Sequence, residues 1–142
     1  MADNLVKRAF ITGIAGFAGS HLAEHLLGAG YEVSGLSLPA GGTHNIDAIK
    51  GRLRLYLGDM EDTGWLRGVL ADIRPDYVFH LAAQAAVPQA WASPGPTLVN
   101  NILGQLNLIE ALLALELRPR LLIIGSADEY GLVRPDELPV RE

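Results

Sequence analysis

Between residues 12 and 19 the chain reads Thr12-Gly13-Ile14-Ala15-Gly16-Phe17-Ala18-Gly19, with a glycine at every third position from Gly13. The apolar run Ala9-Phe10-Ile11 precedes it, and the helical pattern Ser20-His21-Leu22-Ala23-Glu24-His25-Leu26-Leu27 follows. A buried strand that turns this sharply into a helix leaves bare backbone N–H groups at the positive end of the helix dipole. Gly13 permits the tight turn, Gly16 lets a phosphate approach, and Gly19 allows close contact between helix and strand. With Phe17 and Ala18 completing the turn, these residues predict a seat for the pyrophosphate of a dinucleotide, NAD or NADP.

The rest of the composition narrows the function classes. At 142 residues and 49% hydrophobic, the chain has the size and apolar content of one globular α/β domain. Sixteen acidic residues outnumber 11 basic ones, for a formal charge of −5, and no basic run exceeds Lys7-Arg8. Nucleic acid is therefore not an expected partner, since phosphate neutralisation needs clustered Lys and Arg. The chain has no Cys, which removes disulfides, thiolate nucleophiles and Cys-based zinc sites. The polar start with Asp3 is unlike a signal peptide. No apolar run approaches the roughly 20 residues of a membrane helix. A soluble, cytoplasmic protein without a membrane partner is expected.

Strand and helix signals alternate. Strands are predicted at Val6 to Thr12, Tyr31 to Leu38, Arg52 to Gly58, Tyr77 to Ala82 and Leu121 to Ile124. Helices are predicted at Gly19 to Leu27, Asp62 to Ile73 and Thr97 to Leu117. This alternation implies right-handed crossovers and a doubly wound parallel sheet in the order 3-2-1-4-5. Ligands of such sheets bind beyond the carboxyl ends of the strands. That selects residues 13 to 19, Ser37, Asp59 and Met60, the run Leu81, Ala82, Ala83 and Gln84, and residues 125 to 130.

Dinucleotide folds place an acid after the second strand to hold the adenosine ribose, or an Arg where a 2′-phosphate must be held. Here the chain reads Gly35-Leu36-Ser37-Leu38-Pro39, with neither. Ser37 either donates to a ribose hydroxyl or phosphate or is a plain loop serine, and the lack of a nearby cation leans toward NAD. Asp59 is expected to accept from the adenine amino group with Met60 against the ring edge. The competing reading is a helix N-cap, a role that suits Asp62 better. His21-Leu22-Ala23-Glu24-His25 matches an H-x-x-E-H metal pattern. It opens directly from Gly19 and carries a core stripe of Leu22, Leu26 and Leu27, so solvated surface histidines are expected and no metal. His80, inside an apolar strand, reads as a core histidine. Trp91 walls a substrate pocket or anchors a loop. Asn101 and Gln105 share a helix face, from which one can bond loop backbone near the site.

Together these segments resemble the extended short-chain dehydrogenase/reductase superfamily, in its NAD-dependent epimerase/dehydratase family acting on nucleotide sugars. Thr12 to Gly19 is similar to that family's T-G-x-x-G-F-x-G, Gly58-Asp59-Met60 to G-D-(L/M), and His80-Leu81-Ala82-Ala83-Gln84 to (H/N)-L-A-A-Q. The run from Asn101 to Ala111 resembles N-V-x-G-T-x-N-L-L-E-A, and Gly125 to Gly131 falls where the family carries S-S-x-x-x-Y-G. The resemblance implies a Rossmann fold. It places the family's catalytic Ser or Thr on Ser126, where the hydroxyl would bond the sugar C4 oxygen. Tyr130 matches the Tyr of the Y-G ending rather than the catalytic one. The proton-transfer pair, Tyr-x-x-x-Lys, belongs further along, and no Lys follows Lys50. The chain is therefore expected to be the N-terminal portion, residues 1–142, of a longer enzyme, ending before that pair and before the substrate lobe. Alone it is expected to be inactive.

Gln84, Trp91-Ala92-Ser93-Pro94 and the stretch after Glu129-Tyr130-Gly131 are similar to the GDP-mannose branch, with its GDP-mannose 4,6-dehydratases and GDP-4-keto-6-deoxymannose reductases. Dehydratases of that branch carry a Glu two residues after a catalytic Thr. Here Asp128 occupies the Glu position, Ser126 the Thr position, and Phe17-Ala18 replaces a polar pair. These departures favour reduction of a GDP-linked 4-keto sugar over dehydration or epimerisation. A non-catalytic dinucleotide-binding module is the alternative from another class. The family's pairing of two helices per subunit implies a homodimer of the full-length protein, one helix lying near Thr97 to Leu117.

Overall fold

The computed structural model describes residues 6–140, leaving the side chains of Gln89, Ala127 and Asp128 outside the described residues. The run Ala9-Phe10-Ile11 is completely buried within β1 (Arg8–Thr12), as an apolar run in the middle of a parallel sheet must be. The chain then turns through the glycines into α1 (Phe17–Gly28) and returns as β2 (Glu32–Ser37). A crossover of three short 3-10 turns, Pro39–Gly41, His44–Ile46 and Lys50–Arg52, leads to β3 (Arg54–Leu57). Next come α2 (Thr63–Ile73), β4 (Tyr77–His80), the short α3 (Val87–Ala92), the long α4 (Pro94–Ala114) and β5 (Arg120–Ile123).

All pairings are parallel, and the sheet order is β3-β2-β1-β4-β5, the doubly wound order that the alternation predicts. Two cores result, one on each face. Phe10, Leu36 and Val78 point to the face where α2 and α4 supply Leu66, Leu70, Leu108 and Leu112. Ile11 and Val33 point to the other, against Ala23 and Leu26 of α1 and Ile46 and Ile49 of the crossover. At the outer strand, Tyr56 of β3 donates its hydroxyl to Asp72 of α2 (2.7 Å), and Arg54 meets the same carboxylate at 2.6 Å. Burial and the bond to Asp72 push the Tyr56 phenol up to about 12.

Several element bounds differ from those expected. β1 starts at Arg8 rather than Val6, opposite Glu32, where β2 begins. β2 excludes Tyr31, whose amide closes the end of α1 on Leu26, and Leu38, whose carbonyl accepts from Gly41. β3 starts at Arg54 because Lys50–Arg52 forms a turn, and β5 is shifted one residue toward the N-terminus. α1 begins at Phe17, two residues before Gly19, since its cap is the backbone of Gly16. β4 stops at His80 rather than Ala82, the Leu81 amide being shared between the Thr12 carbonyl and side chain and the Ala82 amide bonding to the Thr12 side chain. α4 begins at Pro94, ahead of Thr97, because proline at the first helical position is already preset for helix. It ends at Ala114 rather than Leu117, where Glu116 takes a left-handed φ of 53°. The expected N-cap at Asp62 is present, its Oδ1 accepting from the Trp65 amide at 2.9 Å.

Candidate functional site

The carboxyl ends of β1, β2, β3 and β4 open on one cleft of about 480 Å3. Its lining includes Gly13, Gly16, Ser37, Asp59, Met60, Leu81, Ala82, Ala83 and Gln84, nine of the expected site residues gathered from four strand tips. Gly13 takes a left-handed φ of 70°, and a Cβ built there would stand 3.0 Å from the Ala82 amide nitrogen. No other residue fits that corner at low cost. Gly19 lies buried beneath the turn, where a Cβ would collide with the Gly13 carbonyl oxygen and come within 2.9 Å of Ile14 Cα. The amides of Gly13 and Ile14 both bond to the Leu36 carbonyl, at 3.0 and 3.2 Å, fixing the turn to β2. From the crossover, Asn45 Nδ2 donates to the Ala15 carbonyl at 2.9 Å.

Helix α1 carries no side-chain cap at Gly16 and no acid in its first turn. The first-turn N–H groups of an α-helix have no intrahelical acceptor, so an uncapped N-terminus on a cleft is a seat for an anion. A bare backbone corner, an uncapped dipole and a cleft of this size fit a dinucleotide with its pyrophosphate at Gly13 to Gly19. Phe17 and Ala18 do not line the cleft with their side chains. Phe17 is 79% exposed and meets His21 edge-on at 4.8 Å, so a role for either residue runs through the backbone.

Thr12 holds the floor of the cleft. Its Oγ1 accepts from the amides of Leu81 (3.1 Å) and Ala82 (3.0 Å) and lies 2.8 Å from His80 Nδ1. His80 is the core histidine expected, and burial pulls its pKa below the usual imidazole value. On the far wall, Asn101 brackets the backbone of Gln84, its Oδ1 accepting from the amide (2.7 Å) and its Nδ2 donating to the carbonyl (3.2 Å). That is the loop-bonding amide the helix face implied. Asn107 does the same for the third strand tip, donating to the Met60 carbonyl at 3.0 Å. Ser37 is buried at the end of β2 rather than a solvent-facing loop serine, its hydroxyl 3.5 Å from the Leu38 carbonyl. Asp59 is not an N-cap. Its Oδ1 accepts from the Glu61 amide at 2.9 Å, which fixes the carboxylate at the cleft rim.

Other expected positions fall elsewhere. Ser126 follows β5 and is exposed, its carbonyl accepting from Glu129, and it is not among the lining residues. The side chain of Asp128 lies outside the described residues. Trp91 is 84% exposed on α3 and does not line the cleft. His21, Glu24 and His25 are solvated on α1, and among the described residues no three His, Cys, Asp or Glu side chains gather as for a metal. No helix among the described residues is long and apolar enough to cross a membrane. The lining residues that sequence reasoning missed include Leu36, Gly41, Glu61, Asn100 and Gly104. The last two stand four apart on α4 beside Asn101, a spacing that marks the helix turn facing the cleft.

Known proteins place this cleft in context. A GDP-mannose 4,6-dehydratase of Vibrio cholerae is 37% identical over 147 residues, covering 96% of this chain and 39% of the relative. A GDP-6-deoxy-D-mannose reductase of Pseudomonas aeruginosa is also 37% identical, over 97% of this chain and 40% of the relative. This chain thus spans about two fifths of the length of these relatives. Among solved structures, the UDP-glucose 4-epimerase of Brucella ovis in complex with NAD superposes with a TM-score of 0.80 at 26% identity, covering 89% of this chain and 38% of that one. The profile of the GDP-mannose 4,6 dehydratase family matches residues 10–142, the glycine turn, the strand tips and α4 included. The chain belongs to that family.

Proposed function

We propose that this chain is the coenzyme-binding portion of a nucleotide-sugar oxidoreductase and holds NAD or NADP in the cleft at the strand tips. The observation that carries this reading is the uncapped N-terminus of α1 behind the left-handed Gly13, open on the cleft. The first-turn amides of α1, at Phe17, Ala18 and Gly19, receive the pyrophosphate, those of Gly13, Ile14 and Gly16 being spent within the turn; Ser37 faces the adenosine ribose, and Asp59 and Met60 meet the adenine. Leu81 to Gln84, held by Thr12 and Asn101, form the floor toward the nicotinamide. The bound nicotinamide supplies hydride chemistry at C4 of a sugar. Ser126, beyond β5, is the residue proposed to bond the C4 oxygen, and Asp128 the acid beside it.

For the complete protein the reaction proposed is reduction of a GDP-linked 4-keto-6-deoxy sugar, supported by Ser126 and Asp128 where dehydratases carry Thr and Glu. Dehydration of GDP-mannose is the second reading, supported by the match to the Vibrio cholerae enzyme, as strong as that to the reductase. Dimerisation through α4 is part of the same proposal. Calorimetric titration of the chain with the reduced dinucleotides tests the binding reading. Saturable one-to-one binding that is lost on Gly13→Val is expected, and absence of binding by the native chain overturns the proposal, leaving a domain that kept the fold alone. For the complete protein, oxidation of reduced coenzyme by a GDP-4-keto-6-deoxy sugar supports the reductase. Conversion of GDP-mannose to a 4-keto-6-deoxy sugar still linked to GDP, with loss of water, supports the dehydratase.

A further inference from the structure

At the opposite end of the sheet, where the strands begin, lies a second groove of about 990 Å3. Five of the chain's 11 Lys and Arg residues line it: Lys7, Arg8, Arg74, Arg118 and Arg120. In sequence they are scattered over three segments, and strand register gathers them. The Asp76 amide donates to the Arg8 carbonyl, and the Arg120 amide donates in turn to the Asp76 carbonyl. Arg74 stands where α2 ends, and Arg118 lies between the end of α4 and the start of β5.

Cations in such places ordinarily pair with carboxylates or close helix C-termini. Here other groups perform both tasks. The Asp76 carboxylate accepts from the Arg8 amide at 2.8 Å and meets the Arg8 guanidinium at 3.6 Å. Arg8 Nη1 also donates to the Ile73 carbonyl of α2, and the Leu70 carbonyl accepts from the Arg74 amide. At the end of α4, the carbonyls of Ala111, Leu112 and Leu113 accept from the amides of Leu115, Leu117 and Glu116. The side chains of Lys7, Arg74, Arg118 and Arg120 are all exposed and in no ion pair among the described residues. Only the Glu116 carboxylate stands against those four, which leaves an excess of three positive charges in a chain of formal charge −5. Such a cluster attracts a multivalent anion.

We propose that this groove binds a short chain of linked phosphates, free or carried by a nucleoside, with Lys7, Arg74, Arg118 and Arg120 as its ligands. A guanidinium offers paired donors to phosphate oxygens, and a lysine adds a mobile point charge. Tyr77 is the aromatic residue of the lining. Lys7 Nζ lies 5.6 Å from its ring centroid and the Tyr31 ring 5.8 Å away, so it offers no platform for a base. The phosphates are therefore the part recognised. The inference is independent of the coenzyme reading, whose cleft lies at the other ends of the same strands.

The test is calorimetric titration of the 142-residue chain with inorganic tripolyphosphate at low salt. Saturable binding is expected, falling steeply as salt is added. Orthophosphate, which spans fewer cations, is expected to bind at least about 10-fold more weakly. Arg74→Gln with Arg118→Gln is expected to weaken tripolyphosphate at least about 10-fold, and Lys7→Gln with Arg120→Gln to do likewise. All four side chains are exposed, so both variants are expected to keep the native urea midpoint. Should one pair fail to fold, the other carries the test. ATP separates the two sources. An equal loss of ATP binding in the same variants supports a nucleotide tail as occupant, and ATP binding indifferent to them supports the free chain. No saturable binding of tripolyphosphate by the native chain, or binding no tighter than that of orthophosphate, overturns the inference. Tripolyphosphate binding that both variants retain overturns it too, since the phosphates then sit elsewhere on the molecule.

Discussion

Thr12 sets the tautomer of its neighbour. Its oxygen accepts from two backbone amides, so its proton is left to donate, and the acceptor in reach is His80 Nδ1. The ring then carries its hydrogen on Nε2 and is neutral. Burial alone lowers the His80 pKa, so the folded protein binds fewer protons than the unfolded chain between the folded value and the unfolded 6.5. Stability from this site is complete above about pH 6.5 and is lost as pH falls through the folded value. Urea unfolding at pH 7.5 and pH 5.5, about one unit either side of the unfolded 6.5, is expected to show the fall. His80→Asn, whose amide oxygen keeps the bond from Thr12 but does not titrate, is expected to flatten it. Thr12→Val leaves the Ala82 amide without its acceptor and the Leu81 amide with the Thr12 carbonyl alone, and is expected to cost on the order of 1–3 kcal/mol and to weaken coenzyme binding. Gly19→Ala sets a methyl against backbone that cannot yield and is expected to destabilise by about 1–3 kcal/mol in the same assay. The residue types at these positions were legible in the sequence, and His80 as a core histidine with them. Thr12 as its partner was not, because that pairing is a matter of strand register, Thr12 opposite His80.

Among the elements, the strands and long helices follow from apolar runs and periodicity, and the departures sit where local chemistry overrides them. No helix is predicted between the fourth strand and Thr97, yet α3 spans Val87–Ala92 with Pro88 in its first turn and Pro94 opens α4. Proline bars a helix interior but not its first turn. At the other ends, α2 and α4 stop at Arg74 (φ 47°) and beside Glu116 (φ 53°), both left-handed without being glycine. Such residues carry about 1–2 kcal/mol of strain that glycine avoids, against the greater chain entropy glycine loses on folding. Glu116 is exposed and in no ion pair among those of the described residues. Glu116→Gly is therefore expected to stabilise the chain by about 0.5–1 kcal/mol, seen as a higher urea midpoint at unchanged slope. A lower midpoint would mean that the carboxylate makes a contribution the geometry does not reveal. The cleft residues missed by sequence reading have the same origin. Leu36, Glu61 and Gly104 become site residues only because four strand tips and α4 converge on one cleft.

At the scale of the whole molecule, the apolar surface that remains uncovered has a pattern. Along α4, Leu98, Ile102 and Leu106 recur every fourth residue and are 59%, 60% and 44% exposed, with Leu113 at 70% beyond them. On the edge strand, Leu122 and Ile124 at its end are 49% and 59% exposed, although a parallel sheet is ordinarily covered on both faces. These are two separate faces with different expected covers. The α4 stripe is the surface proposed to pair two copies, and the apolar edge of the sheet is the other candidate for association. Contiguous apolar patches of this kind drive association in water. Sedimentation of the 142-residue chain is expected to show a concentration-dependent dimer. Ile102→Glu buries a charge only if α4 is the interface, so it is expected to shift the chain to monomer, whereas Ile124→Glu is expected to leave the dimer intact. The reverse pattern would move the interface to the sheet edge, and a chain that stays monomeric throughout would remove α4 from the proposed assembly. Coenzyme binding provides the control. The cleft lies at the strand tips, away from the exposed stripe, so both variants are expected to bind the dinucleotide as the native chain does.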